Sequence, residues 1–328
     1  MKKRLIPSLA ALVLTALAAA GCSTPSTQGS GGAGADFPKS PVKIVVPFGA
    51  GGGSDAVARQ MASQLEKELG GTFIVDNKPG AAGVLGTDGV SKAKADGYTL
   101  LSTNSFAFTA QQKLRKTSYT SADFKPIAEE TSYGLVQVVR ADSPWNSVKD
   151  MLDADKLTYA HPGVGGMVQL AEAALFDAGG TDAQGVPFDG SAPSVTALLG
   201  GQVDTTAAEV GVALPYIKSG QLKALSVTTP ERVKQLPDVP TVEEAGYPQA
   251  SITASEVLLA PAGIPDDVAK LLEGAAKKAV ASTEFTSFLE NSVYKAGVTS
   301  GAELDKQIAD ATTTVTGMIE RLNIKIEG

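Results

Sequence analysis

The chain holds one cysteine, one histidine and one tryptophan among 328 residues, and aromatic residues make up only 5% of it. A lone Cys22 excludes an intrachain disulfide, a cysteine-based metal cluster and a redox pair. A lone His161 excludes a histidine metal site and leaves one candidate for any histidine-dependent triad. With so few aromatics, the core must rest on Val, Leu, Ile and Ala. Positive charge is scarce as well. The net charge is −7 and no stretch forms a basic patch, which argues against nucleic acid as a partner. An acidic protein that binds an anion must hold it with local dipoles rather than with its overall field. No metal and no other cofactor is expected.

What the sequence does have is glycine in a telling place. Lys43 to Phe48 is β-branched and reads as a buried strand. Gly49-Ala50-Gly51-Gly52-Gly53 follows, and Ser54 or Asp55 then caps a helix through Ala58, Met61, Leu65 and Leu69. Such a junction aims free backbone N–H groups at one point. Side chains there would block a ligand's approach, and the helix dipole adds partial positive charge, so the natural guest is an anion. The pattern recurs at Leu157 to Pro162, then Gly163-Val164-Gly165-Gly166-Met167, then a helix face of Val168, Leu170, Ala171 and Leu175. Both loops have the form Gly-x-Gly-Gly. Two such units suggest two lobes offering helix N-termini to one cleft; ordinary tight turns would look the same.

The N-terminus carries a message of its own. Lys2, Lys3 and Arg4 precede an apolar run, Leu5 to Ala20, that is too short for a comfortable membrane span. Ala18-Ala19-Ala20-Gly21-Cys22 then resembles a bacterial lipoprotein lipobox, with Leu17 slightly further upstream than usual. Residues 1–21 are read as a lipoprotein signal peptide, Cys22 as the lipid attachment point and 22–36 as a flexible tether. The location expected is outside the cytoplasm, lipid-anchored to the bacterial cell membrane.

From residue 37 onward, strand and helix signals alternate. Strands are expected at 72–77, 97–103, 135–139, 185–188, 203–208, 222–227 and 255–261, in a sheet that is mostly parallel. The last helices, after Pro265, are expected to pack back on the first lobe. That gives an α/β, two-lobed fold of the periplasmic-binding-protein type, with the ligand in the cleft. Domain 1 is discontinuous, 37–138 with 254–328, and domain 2 is 139–253. Two crossings between domains are the natural construction of a hinge.

Several stretches, taken in order, identify a relationship. They are Pro47 to Asp55, Val75-Asp76-Asn77-Lys78-Pro79-Gly80-Ala81-Ala82-Gly83, Asp96 to Leu101, Leu198-Leu199-Gly200-Gly201-Gln202-Val203-Asp204, Leu236 to Gly246 and Leu259 to Pro265. Together they resemble the substrate-binding proteins of tripartite tricarboxylate transporters, the TctC or Bug family. The resemblance implies a monomeric receptor, not an enzyme, that captures di- or tricarboxylates and hands them to a large and a small integral membrane subunit. It places ligand contacts at Phe48, Gly49, Gly51, Gly52, Gly53, Ser54 and Asp55 in one loop. In the second loop it places them at Gly163, Gly165, Gly166, Met167, Val168 and Gln169. Ser105, Phe188, Asp189, Gly190, Ser191 and Glu209 fall where further contacts belong. The chain departs from the family in having few hydroxyls in the second loop, and in having Glu209 where Asp-Asn is frequent. Glu209 would repel a bare carboxylate or pair with an ammonium.

Other readings remain open at this level. Asp55 and Ser54 are helix caps or ligand contacts, His161 is a loop support or a ligand, Phe188 is core or ligand wall, and Asp204 fixes a strand end. A dinucleotide enzyme would explain Gly49-x-Gly51-x-x-Ser54 with Asp76 at the end of the next strand, although the third glycine is missing. A serine hydrolase is improbable, since Gly52 to Ala56 lacks the last glycine of a nucleophile elbow. A carboxylate sensor or scaffold without its own transporter is the third class. On the receptor reading, Gly52→Val and Gly165→Val should each weaken binding without unfolding the protein.

Overall fold

The computed structural model describes residues 36–188 and 190–325. The leader, Cys22, the tether and Asp189 lie outside them. The first half of the chain contributes β1 (Val42–Val46), α1 (Gly53–Leu69), β2 (Phe73–Asn77), α2 (Val84–Ser91), β3 (Thr99–Asn104), α3 (Ser105–Leu114) and the long β4 (Phe124–Arg140). Then come α4 (Val148–Leu152), β5 (Lys156–His161), α5 (Met167–Gly179), β6 (Asp182–Pro187), α6 (Ser191–Leu199), β7 (Thr205–Glu209), α7 (Val210–Lys218) and β8 (Leu222–Val227). The chain closes with β9 (Thr253–Pro261), α8 (Asp266–Ala281), α9 (Thr283–Ser292), β10 (Lys295–Ala296) and α10 (Gly301–Arg321). No helix among the described residues is long and apolar enough to cross a membrane.

The strands form one curled mixed sheet in the order β2-β1-β3-β9-β4-β7-β5-β6, with β8 and β10 also paired to β4. β1 runs parallel to β2 and β3, and β5 runs parallel to β6 and β7, as the alternating pattern leads one to expect. The middle is different. β9 is antiparallel to β3 and β4, and β4 is antiparallel to β7 and β8. The reason is that the chain passes between the two half-sheets along a strand, not through a helical crossover. Residues 124–134 of β4 pair with β9, and from Leu135 onward β4 pairs with β7. Register shifts at Pro126/Ala128, Glu129/Thr131 and Gln137/Val138 bend it on the way.

Four hydrophobic clusters fill the layers. Val42, Ile44 and Leu100 pack with Met61 and Leu65 of α1 and with Val268, Leu272 and Ala276 of α8. Phe285 and Leu289 of α9 join the same cluster, so α8 and α9 do cover the first half-sheet. α10 does something else. Its Leu304 and Ile308 pack with Val45 and Leu101, while Val315, Met318 and Ile319 belong to the cluster of Leu157, Leu170 and Ala207. One helix therefore serves both half-sheets. A period-3.6 stripe is blind to such a division, because either core satisfies it.

The second half buries an acid in its core. Glu172 of α5 is 0% exposed. Gln137 Nε2 donates to its Oε1 at 3.1 Å and to Thr205 Oγ1 at 2.6 Å, while Glu172 Oε2 has no hydrogen-bond partner among the described residues. Burial pushes this carboxyl up to about 8, against hydrogen bonds from Gln137 and the Ala207 backbone that pull it down. The folded chain thus keeps a proton that the unfolded chain releases near 4.5. Stability from this group is complete below about 4.5 and is lost as pH rises through about 8. Urea unfolding across that window should show falling stability with rising pH, and Glu172→Gln should flatten the dependence. An unchanged slope in the variant would reject the assignment.

Candidate ligand-binding site

The two glycine-rich loops share one backbone solution. Gly51 has φ +84° and Gly165 has φ +75°, a region that only glycine enters without strain. Each is followed by an extended helix N-cap, Gly52 at φ −82°, ψ 174° and Gly166 at φ −77°, ψ 162°. Each is also clasped from four residues ahead. The Gly51 N–H donates to Asp55 Oδ2 at 2.8 Å, and the Gly165 N–H donates to Gln169 Oε1 at 2.6 Å. No side chain caps either helix. The opening amides of α1 and α5 consequently lack intrahelical acceptors and carry the positive ends of two helix dipoles. A Cβ on Gly49, Gly51 or Gly163 would meet nothing within 4 Å, so both loops face open space.

Asp55 is now assigned. Its carboxylate takes Gly51 N–H, Arg59 Nε at 3.0 Å and Asn77 Nδ2 at 2.9 Å, and Arg59 also pairs with Oδ1 at 2.9 Å. Burial works to raise its pKa, but the hydrogen bonds from Arg59, Gly51 and Asn77 outweigh it and hold the group below the ordinary carboxylate range. Asn77 also donates to the Phe48 carbonyl at 3.2 Å. Asp55 therefore shapes the loop. His161 does the same for the second loop, with Nδ1 3.0 Å from the Gly163 carbonyl. Burial holds its pKa low despite that contact, so the ring is neutral. Asp204 does fix a strand end, accepting from Thr158 N at 2.8 Å and Oγ1 at 2.7 Å.

Other expected contacts reach the region in different ways. Met167 and Val168 bury their side chains in the second core, which leaves only their backbone amides to face the loop. Ser105 opens α3, and its hydroxyl accepts from the Ser255 N–H at 3.0 Å. Gly190, at φ +116°, is the N-cap of α6, and Glu209 is the N-cap of α7. Phe188 is half-buried against the cluster of Val195 and Leu198. Asp76 pairs with Lys43 at 3.8 Å and Lys78 at 3.5 Å, which engages the acid that a ribose site would need.

A polar cluster that sequence reasoning missed joins these pieces. Ser54 Oγ donates to Glu256 Oε1 at 3.0 Å, with Asn104 Nδ2 and the Tyr133 hydroxyl each at 3.4 Å from the same oxygen. Asn104 and Tyr133 touch closely. The Tyr133 and Tyr294 rings stack with centroids 4.8 Å apart, and the Tyr294 hydroxyl reaches Glu209 Oε2 at 3.5 Å. A Cβ on Gly53 would sit 2.9 Å from that hydroxyl, which ties the cluster to the first loop. Burial, then the neighbouring Glu130, push Glu256 up to about 8 against hydrogen bonds from Ser54 and Asn104. Burial likewise raises Glu209, Tyr133 and Tyr294. Asn104 closes β3 and caps α3, accepting from the Ala107 N–H at 3.0 Å. Glu256 left a weak trace in the sequence as a lone acid beside Val257-Leu258-Leu259. Tyr133 and Tyr294 gave no signal, since only the tertiary fold stacks them.

Among the described residues no group of three or more His, Cys, Asp or Glu is placed to hold a metal ion. A cavity of about 510 Å³ is lined by Tyr133, Val210, Thr229, Val233 and Tyr294 among others and by no residue of either glycine loop.

Known proteins agree with this construction. Residues 57–324 match the model of the tripartite tricarboxylate transporter family receptor. A UPF0065 protein in the tcbD-tcbE intergenic region of Pseudomonas sp. (strain P51) is 31% identical over 296 residues, covering 88% of this chain and 87% of that protein. The solved structure of MatC from Rhodopseudomonas palustris with bound malate superposes with a TM-score of 0.76 at 29% identity, over 86% of this chain and 100% of that one. Rpa4515 of the same organism, with adipate, gives a TM-score of 0.79 at 27% identity over 88% and 99% of the two chains. The chain therefore belongs to the tripartite tricarboxylate transporter receptor family, a family of solute-binding receptors and not of enzymes.

Proposed function

We propose that the chain is an extracytoplasmic receptor for a small organic acid, anchored through lipid on Cys22, that passes its ligand to the large and small membrane subunits of a tripartite transporter. One observation carries the reading: two loops of identical form, each ending in unpaired helix-opening amides, stand at strand ends of adjacent half-sheets. A carboxylate is the anion that such dipoles suit. The malate and adipate held by the two structural relatives support the same class.

Domain 1 in this reading is 37–138 with 254–328, and domain 2 is 139–253. Ligand contacts come from Phe48, Gly49, Gly51, Gly52, Gly53, Ser54 and Asp55, from Gly163, Gly165, Gly166, Met167 and Val168, and from Ser105, Asp189, Gly190 and Glu209. Asp55 and Ser105 act by shape, and the glycines of both loops through their backbone. A ligand touching both loops stabilises the closed arrangement over the open one, and the membrane subunits recognise the closed form.

Two sets of measurements test this. A thermal-shift screen of the purified protein from residue 36 onward, with di- and tricarboxylates, should give a saturable rise in melting temperature with one carboxylate class. Gly52→Val fits its backbone, where a Cβ would lie 3.7 Å from the Gly49 carbonyl oxygen. It should weaken that ligand by about tenfold or more, the equivalent of one good hydrogen bond. Gly165→Val is no longer a clean partner. Its positive φ and the nearby Leu114 side chain would strain the loop, correcting the expectation drawn from sequence. Gln169→Ala is the better probe of the second loop, because it frees only the Gly165 clasp. Unchanged affinity in both Gly52→Val and Gln169→Ala would reject the two-loop site. Separately, Cys22→Ser should move the protein from the membrane fraction to the soluble fraction of the producing cells. Retention on the membrane would reject the lipid anchor.

A further inference from the structure

Two consecutive residues at the end of α9 belong to different cores. Tyr294 packs against the cluster of Val42, Ile44 and Leu100, under the first half-sheet. Val293 packs against the cluster of Val136, Val195 and Val210, under the second. The backbone where they part is strained. Val293 is the C-cap of α9 at φ 59°, ψ 37°, a left-handed conformation that β-branched residues rarely adopt. Glycine or asparagine would be ordinary there. A β-branched residue persists in such a position because its surroundings hold it.

Those surroundings are close on several sides. A Cβ on Gly211, in the first turn of α7, would lie 2.6 Å from the Ser292 carbonyl oxygen, so α7 meets the end of α9 backbone to backbone. The Tyr294 ring stacks on Tyr133 of β4. Its hydroxyl stands beside Gly53 of the first glycine loop and Glu209 at the start of α7. Directly afterwards β10 pairs with β4, Lys295 opposite Ser132 and Ala296 opposite Thr131, which ties the segment to the first stretch of that strand. One side is unfilled. Val293, Tyr294, Tyr133 and Val210 line the cavity of about 510 Å³, so the pair has room to withdraw.

We propose that Val293-Tyr294 is a clasp between the two half-sheets and that it positions the first glycine loop. Val293 is seated in the second core, while Tyr294 stays in the first and bears on Gly53. β4 also joins the halves, but it bends at its bulges and so does not by itself fix their angle. The clasp adds a second attachment, beside the loop. The strained backbone makes it releasable: the strain at Val293 is offset only while its side chain stays in the second core. Both residues are positioning residues, and their role holds whichever ligand the loops take.

Distance measurements on the ligand-free protein test this. Spin labels on Ser63→Cys in α1 and Thr196→Cys in α6 stand at exposed positions outside the clasp, one on each half. The full chain with Cys22→Ser has no other cysteine to compete. Double electron–electron resonance should give one narrow distance distribution. Val293→Asn suits the left-handed backbone but removes the apolar anchor. It should broaden the distribution, and so should Tyr294→Ala. Tyr294→Phe keeps the ring stack and should retain the narrow form. Gly211→Ala wedges α7 away from Ser292 and should displace the mean. Circular dichroism at the same temperature checks that each variant is folded, and Val293→Asn decides the matter even where Gly211→Ala does not fold. A residue that merely capped α9 would respond to Val293→Asn in the opposite way, with a higher melting temperature and an unchanged distribution. That result, or a distribution unmoved by both Val293→Asn and Tyr294→Ala, overturns the clasp and leaves the receptor reading untouched.

Discussion

Each glycine loop depends on one backbone hydrogen bond to a side chain four residues further on. Gly51 gives its N–H to Asp55, and Gly165 gives its N–H to Gln169. The bond turns one amide of the loop inward, and the left-handed glycine lets the chain make that turn. The next amides are thereby left facing outward at the start of a helix. Without the clasp, a run of glycines is among the most mobile of chains, and ordering it on binding would consume much of the gain from the ligand. The acceptors differ in kind. Asp55 is charged and sits in a net with Arg59 and Asn77, while Gln169 is neutral, so loops of one shape rest on two chemistries.

β4 sets how the two loops stand relative to each other. Its first stretch belongs to the half-sheet of β1 and its second to that of β5. Backbone hydrogen bonds run along its length, and bulges bend it without breaking it. Tyr133 lies just before the change of partners, next to Gly134, where an added Cβ would crowd Thr229. That close packing adjoins the polar cluster that reaches Glu256 and Glu209.

The parallel strands, their helices and both loops were legible in the sequence, because period-2 and period-3.6 patterns and Gly-x-Gly-Gly spacing are local signals. The first stretch of β4 was not. Pro126, Glu129, Glu130 and Ser132 interrupt any apolar alternation, yet Glu129 is buried. It is fed by Ser255 Oγ at 2.5 Å, Gln307 Nε2 at 3.0 Å and the Val298 N–H at 3.1 Å. Those donors are more than a hundred residues away, and no pattern within a strand announces them. Asp55 and His161 showed the opposite limit. The residues were picked out, but whether they faced a ligand or the loop itself depended on partners such as Asn77 that only the fold supplies. The stacked tyrosines belong to the same class, coming from distant parts of the chain with no motif between them.

α10 divides its apolar stripe between two cores. Leu304 and Ile308 complete the one beneath β1 and β3, and Val315, Met318 and Ile319 complete the one around β5 and α5. The core around β5 and α5 is therefore complete only when the C-terminal helix is in place, and loss of α10 would open both cores at once.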